Sequence, residues 1–264
     1  MNFGDYQYIR FSRRGRVLEI TLNRPEQLNA FNARLHAEMA QVFTDVNNDP
    51  DSDIIILTGA GRAFSAGGDF AAMKSGFDDP DAFRSTAREA KQIIFSLLDC
   101  EKPIIVKMNG HAIGLGATIA LFCDVIFAAD TAKIGDPHVG VGLVAGDGGA
   151  VIWPQLIGYA RAKEYLLTGT PLSASDAARI GLINHAVPAA ELDERVNRFV
   201  DQLAAGAPKA IRWTKVSANI GLKQLAHSIM DTCISYEWLS SKSDDHREAV
   251  NAMLEKRQPV FTGR

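Results

Sequence analysis

The chain has 264 residues, 47% of them hydrophobic, with 28 basic and 31 acidic side chains, a net charge of −3 and a pI near 6.1. That length and apolar content suit one large body, or a body plus an appendage, built on a sizeable core. The balance gives no electrostatic reason to expect nucleic acid or an anionic membrane as partner, and no apolar run approaches the ~20 residues that span a bilayer. Met1-Asn2-Phe3-Gly4-Asp5 lacks the basic and apolar regions of a signal peptide. Cys100, Cys123 and Cys233 are far apart and offer neither a disulfide framework nor metal-ligand spacing. The expectation is a soluble cytoplasmic protein with no metal.

Val17-Leu18-Glu19-Ile20-Thr21-Leu22 alternates and is rich in β-formers, which predicts a strand ended by the turn Asn23-Arg24-Pro25. Leu35, Met39, Val42, Phe43 and Val46 follow helical spacing. Ile54-Ile55-Ile56-Leu57 is an unbroken apolar run of the kind buried on both faces of a sheet. A glycine-rich loop follows, then a helix carrying Ile93, Ile94, Leu97 and Leu98. A second buried strand, Ile104-Ile105-Val106, leads through a second glycine loop to a helix over 117–122, and Asp124-Val125-Ile126-Phe127 is a third strand. A third glycine cluster, 140–149, opens a helix near Trp153. Ser173 and Asp176 cap a short helix that stops at Gly181, and beyond about Glu191 the pattern is helical. Strand–loop–helix units followed by a helical tail predict an α/β body with an α-helical C-terminal part, without an exact internal repeat.

Glycines at strand-to-helix junctions let the backbone reach unusual dihedrals, approach a ligand and aim N–H groups into a cavity. Dinucleotide binding does not fit, because Ile119 stands where the third glycine of the fingerprint belongs. No Gly-Lys-Ser/Thr sequence supports a P-loop. Ala63-Phe64-Ser65-Ala66-Gly67 lacks the first glycine of a nucleophile elbow, and Ser65 has no evident triad. A backbone oxyanion hole remains, with one N–H from Ala66-Gly67-Gly68 and one from Gly114-Leu115-Gly116.

These loops carry a resemblance. Arg62-Ala63-Phe64-Ser65-Ala66-Gly67-Gly68-Asp69 is similar to the first signature of the crotonase (enoyl-CoA hydratase/isomerase) superfamily. Lys102-Pro103-Ile104-Ile105 with Asn109-Gly110-His111-Ala112-Ile113-Gly114-Leu115-Gly116, continuing to Cys123-Asp124, resembles the second. Asn23-Arg24-Pro25 and Leu28-Asn29-Ala30 look like the family's adenine-side turn, and Glu255-Lys256-Arg257-Gln258-Pro259-Val260-Phe261 looks like its C-terminus. The resemblance implies an α/β fold: a ββα spiral core over 1–195 and a C-terminal helical trimerisation region over 196–264, assembled as a homotrimer or homohexamer. It implies an acyl-CoA thioester as partner and substrate, with no cofactor beyond the coenzyme A of the substrate itself. The thioester carbonyl would lie between the N–H groups of Gly68 and Leu115. Arg24, Leu28, Ala66, Gly67, Gly114 and Thr118 would contact the substrate, and segment 73–83 would line the acyl pocket.

The family's hydratases use two glutamates, and the matching positions here hold Thr118 and His138. A threonine hydroxyl is not a general base near neutral pH unaided, so the expectation is a lyase or isomerase without efficient hydration. His138, in Gly135-Asp136-Pro137-His138, has an ordinary pKa of ~6.5 and suits proton transfer. Asp147 stands in the third loop, where some family isomerases and dehalogenases place a working aspartate. The family's β-diketone hydrolases, including 6-oxocamphor hydrolase, also resemble Pro137-His138, Gly146-Asp147-Gly148 and Trp153-Pro154. By that resemblance Asp147 would orient His138, His138 would take a proton from water, and Glu237 lies near a tail glutamate that assists. The second histidine of those hydrolases has no match here. Two alternatives follow: a β-diketone C–C bond hydrolase that uses His138 and Asp147 without CoA, and a non-catalytic CoA-binding or assembly protein. Asp147 also reads as the N-cap of the helix carrying Val151 and Ile152. His111 reads as structural, and Asp69 as a partner of loop backbone. Lys256 and Arg257 read as a solvated tail or as contacts to a CoA phosphate of a neighbouring subunit.

Overall fold

The computed structural model describes residues 3–77 and 79–264, with side chains of 80–83 outside the description. A hairpin opens the chain: β1 (Ile9–Arg14) pairs antiparallel with β2 (Val17–Leu22). A 3₁₀ turn, Pro25–Gln27, leads to α1 (Ala33–Asn48), where the Asn32 side chain caps the first turn by accepting from Leu35 N–H. All five apolar residues expected at helical spacing on α1 are buried.

Three passes of one pattern follow. The first is β3 (Ile54–Gly59), β4 (Ala63–Ser65), then α2 (Phe70–Ser75) and α3 (Pro80–Asp99). The second is β5 (Ile104–Met108), β6 (His111–Ile113) and α4 (Leu115–Phe122). The third is β7 (Val125–Ala129), β8 (Lys133–Gly135), a 3₁₀ turn His138–Val141 and α5 (Gly149–Thr168), which bends at Gly158. The chain then forms β9 (Leu172–Ser173), α6 (Ala174–Arg179), β10 (His185–Val187), α7 (Leu192–Ala204), α8 (Pro208–Ser241) and α9 (Asp244–Glu255).

In every pass the first strand joins a six-stranded sheet ordered β1-β2-β3-β5-β7-β10, and the second joins a four-stranded sheet ordered β4-β6-β8-β9. This is the expected ββα spiral with C-terminal helices. The repeat that the sequence does not show is present in the backbone: each pass has the same element order with different residues. The large sheet is parallel from β2 to β10. That arrangement explains the unbroken apolar runs of β3 and β5, whose partners Ile55↔Ile104 and Leu57↔Val106 are buried on both faces. Helix α7 packs on β3, β5 and β7 with Leu192, Val196 and Val200 buried, each contributing about 1.5–3 kcal/mol. The boundary expected at 195/196 falls inside α7, which lies on the sheet.

The small sheet positions the site. Because β4, β6 and β8 are neighbours running parallel, the chain leaves all three at the same edge. The three glycine loops, far apart in sequence, are therefore stacked side by side.

Candidate active site

The first loop is held open by its own side chains. The Ser65 hydroxyl is fully buried, donates to Asn29 C=O at 2.9 Å and accepts from Gly67 N–H at 3.2 Å. Ala66 N–H donates to Leu28 C=O at 3.0 Å, and Asp69 N–H to Phe31 C=O at 3.1 Å. Within this loop only the Gly68 N–H has no acceptor among the described residues. Asn29, fully buried in the left-handed region at φ 56°, ties its amide to the carbonyls of Ala60, Ala63 and Phe64.

The second loop turns at Gly114 (φ 54°), whose N–H donates to Gly135 C=O at 2.9 Å. Leu115 is the first residue of α4, so its N–H has no intrahelical acceptor, and none is supplied by the described residues. The two loops meet backbone to backbone. A Cβ on Gly67 would stand 2.8 Å from Ile113 O, and one on Gly116 would stand 2.6 Å from the Ser65 Cβ. Glycine at 67 and 116 is what lets the unused N–H groups of Gly68 and Leu115 come from adjoining segments at the positive end of α4.

The third loop supplies the titratable groups. His138 opens the 3₁₀ turn after β8, and its Cε1 lies 3.7 Å from where a Cβ on Gly114 would be. Its Nδ1 is hydrogen-bonded to Asp136 Oδ1, and its Nε2 faces Asp147 Oδ2 at 3.5 Å. The orienting carboxylate is thus Asp136. Asp147, expected in that role, stands on the opposite nitrogen. The reason is local: the turn after Pro137 folds the ring back onto the side chain two residues earlier, while Asp147 arrives from the start of α5. Asp147 Oδ1 accepts from Thr118 Oγ1 at 3.0 Å and from Gly149 N–H at 3.3 Å. The cap of α5 is Gly148, so Asp147 serves the helix from one residue further out. Asp136 is almost wholly buried, and its Oδ2 has no partner among the described residues.

Burial opposes the charged form of His138, but the carboxylates of Asp136 and Asp147 outweigh it and hold the imidazole well above its ordinary pKa. Burial raises Asp147, with His138 opposing. Glu237, on α8 beside Gly146, is pushed up to about 8 by burial and by the neighbouring Asp147. In the sequence its match to a tail glutamate is loose; the path of α8 is what brings it to the cluster. Candidate ligand atoms of Asp136, His138 and Asp147 lie within 4.8 Å of one another.

A family model described as enoyl-CoA hydratase/isomerase matches residues 12–264. The chain belongs to that family. It is 33% identical over 264 residues to a crotonyl-CoA hydratase of Syntrophomonas wolfei, covering 97% of this chain and 98% of the relative. It is 35% identical over 250 residues to a 1,2-epoxyphenylacetyl-CoA isomerase of Escherichia coli, covering 94% and 95%. A crystal structure of an enoyl-CoA hydratase/isomerase from Mycobacterium paratuberculosis superposes with a TM-score of 0.86 at 37% identity, covering 92% of this chain and 97% of that one. As a member of this family the chain is an enzyme. The relatives' names span hydration and isomerisation, so they leave the reaction to be argued from the site.

The other candidate residues lie around these loops. Arg24 is a latch: its guanidinium bonds Ala30 C=O, meets Asp69 Oδ2 at 3.1 Å and lies 5.1 Å from the Tyr8 ring centre. Leu28, at φ 52°, ties this turn to the first loop through Ala66. Asp69 caps α2 by accepting from Ala71 and Ala72 N–H, as expected of a backbone partner. Thr118, expected against substrate, is fully buried and gives its hydroxyl to Asp147, so it supports that carboxylate instead. Arg257 is engaged by Glu248 and Glu255, and Lys256 ends α9 in the left-handed region. His111 accepts from Lys133 N–H at 3.1 Å, a structural role. Asp78 and the side chains of 80–83, part of the expected acyl-pocket segment, lie outside the described residues. No described helix is long and apolar enough to cross a membrane.

Proposed function

We propose that the chain acts on an acyl-CoA thioester by enolate-forming proton transfer and is not an efficient hydratase. The N–H groups of Gly68 and Leu115 form the oxyanion hole. Removing the α-proton moves negative charge onto the thioester oxygen, where each backbone donor is worth roughly 3 kcal/mol of transition-state stabilisation. The observation that carries the reading is the His138 imidazole held between Asp136 and Asp147, with its edge beside Gly114. Asp136 holds Nδ1, so proton exchange with substrate runs through Nε2 and the facing Asp147. Burial makes Asp147 a stronger base than an exposed aspartate, which suits taking a proton from carbon. Glu237, pushed up to about 8, adds beside the pair a carboxyl that can exchange a proton near neutral pH. A proton removed at one carbon and returned at another is an isomerisation. Hydration would need an activated water, and by the family resemblance the two glutamates that hold it are replaced by Thr118 and His138. We further propose that the 24–30 turn takes the adenine side of CoA and that the chain assembles as a homotrimer or homohexamer.

The test has two arms. α-Protons of butyryl-CoA should wash out into D₂O at a rate lowered roughly 10²–10⁴-fold in His138→Ala, while hydration of crotonyl-CoA stays at least about a hundredfold below that of a two-glutamate relative. Crotonyl-CoA hydration at the relative's rate would overturn the reading. A second reading, C–C hydrolysis of a β-diketone without CoA, is favoured by the nearness of Glu237 to the pair. Calorimetry with CoA separates them, because that reading expects no binding.

A further inference from the structure

The loop that carries His138 and Asp147 is moulded by the C-terminal helices. Val141 C=O, at the end of the His138 turn, accepts from His246 Nδ1–H at 2.7 Å. Val144 N–H donates to Ser240 Oγ at 3.1 Å. Gly142 (φ +68°) lies so close to the start of α9 that a Cβ would stand 2.8 Å from His246 N. A Cβ on Gly146 would stand 2.7 Å from the Glu237 Cβ. The loop also bonds to itself, with Gly140 N–H to Pro137 C=O at 2.9 Å, Leu143 N–H to His138 C=O at 2.9 Å and Gly146 N–H to Val144 C=O at 2.8 Å. The contacts from α8 and α9 fix where that locally bonded turn sits.

His246 is the most telling of these contacts. It is only 4% exposed, and a buried ring nitrogen needs a partner. Its backbone is fixed by the α9 cap, with His246 N–H donating to Ser243 Oγ at 3.1 Å. Burial holds its pKa below the ordinary value, so the ring is neutral and Nδ1 carries the proton that Val141 accepts. On its other side the ring meets the edge of Phe77 at 5.6 Å between centroids, and the Arg247 guanidinium lies 5.0 Å from the Phe77 ring centre. Phe77 follows α2, the helix that starts directly after Gly68 and Asp69. One turn of α9 thus touches both the end of the His138 turn and Phe77 after α2.

We infer that His246 is a positioning residue: its bond to Val141 C=O, backed by the Phe77 contact, fixes the His138 turn relative to the Gly68 and Leu115 N–H groups. The catalytic consequence rests on the proposed function, but the test reads His138 directly. Asn places an amide N–H about where the His246 Nδ1–H lies, and Leu fills the space without a donor. In ¹⁵N-histidine-labelled protein, His246→Leu should shift the His138 imidazole resonances and move its titration by roughly half a unit. It should lower kcat for butyryl-CoA α-proton exchange roughly tenfold with KM nearly unchanged. His246→Asn should restore both. A folded His246→Leu protein with unchanged His138 resonances and kcat, and only a lower melting temperature, would overturn the inference. If His246→Leu does not fold, His246→Gln, which sets its amide one bond further out than Asn does, carries the same readout: unmoved His138 resonances would overturn the inference equally. Loss of α-proton exchange from the parent protein, with the His138 shift still present, would sink the acyl-CoA reading and leave the positioning role standing.

Discussion

At the residue scale the centre of the site is one imidazole with a carboxylate on each nitrogen. His138→Ala and Asp147→Asn should each lower α-proton exchange by roughly 10²–10⁴-fold, because a positioned acid–base group is worth that much. Stability should report the same cluster. His138, Asp147 and Glu237 are all shifted upward by the fold, so the folded chain binds more protons than the unfolded one. The His138 contribution is present in full below the unfolded pKa of ~6.5 and is lost as pH rises through the folded value. Glu237, unfolded near ~4.3, destabilises progressively as pH rises to about 8. Asp49 and Asp53, held low in the fold, act in the opposite sense and only in acid. The melting temperature should therefore fall between about pH 5.5 and about pH 8.5, and Glu237→Gln should flatten that fall in a calorimetric pH series. His138 and Asp147 were legible in the sequence through the family resemblance. Asp136 was not, because its contact depends on the turn that Pro137 starts.

At the element scale the site depends on how closely two loops approach. A Cβ on Gly116 would meet the Cβ of buried Ser65 at 2.6 Å, and neither backbone segment has room to yield. A Cβ on Gly68 would meet only the tip of the flexible Met73 side chain. Gly116→Ala should therefore destabilise by roughly 1–3 kcal/mol, several degrees of melting temperature, while Gly68→Ala shifts it little. Thermal unfolding of the two variants checks this, and equal losses would contradict it. The long strands β2, β3 and β5 and helices α1, α3 and α4 were legible from period and apolar runs. The small-sheet strands were not, since two or three residues carry no period. Those short strands are what bring the loops together.

At the scale of the whole molecule the C-terminal helices present apolar faces. Trp213, Val216 and Ile220 lie at helical spacing along α8 and are 59%, 38% and 55% exposed. Such an exposed apolar stripe on one helix suits contact between copies. Light scattering should give a mass three or six times the 28.6 kDa of one chain. Trp213→Lys with Ile220→Lys should lower it, and a monomeric parent would refute the assembly. The same helices also mould the His138 loop, so this region shapes the site as well as the surface.

The sequence by itself determined the family, the buried strands and the glycine junctions, because each is written in contiguous residues: apolar runs, turn residues and two loop signatures. It also pointed to His138 and Asp147 through the resemblance of Pro137-His138 and Gly146-Asp147-Gly148 to the family's β-diketone hydrolases. Only the tertiary structure decided which carboxylate holds which nitrogen, that Thr118 serves Asp147, and that Glu237 and His246 reach the third loop. Those contacts join residues up to about a hundred positions apart, and they arise from the stacking of three ββα turns and the folding back of α8 and α9, which no local pattern encodes.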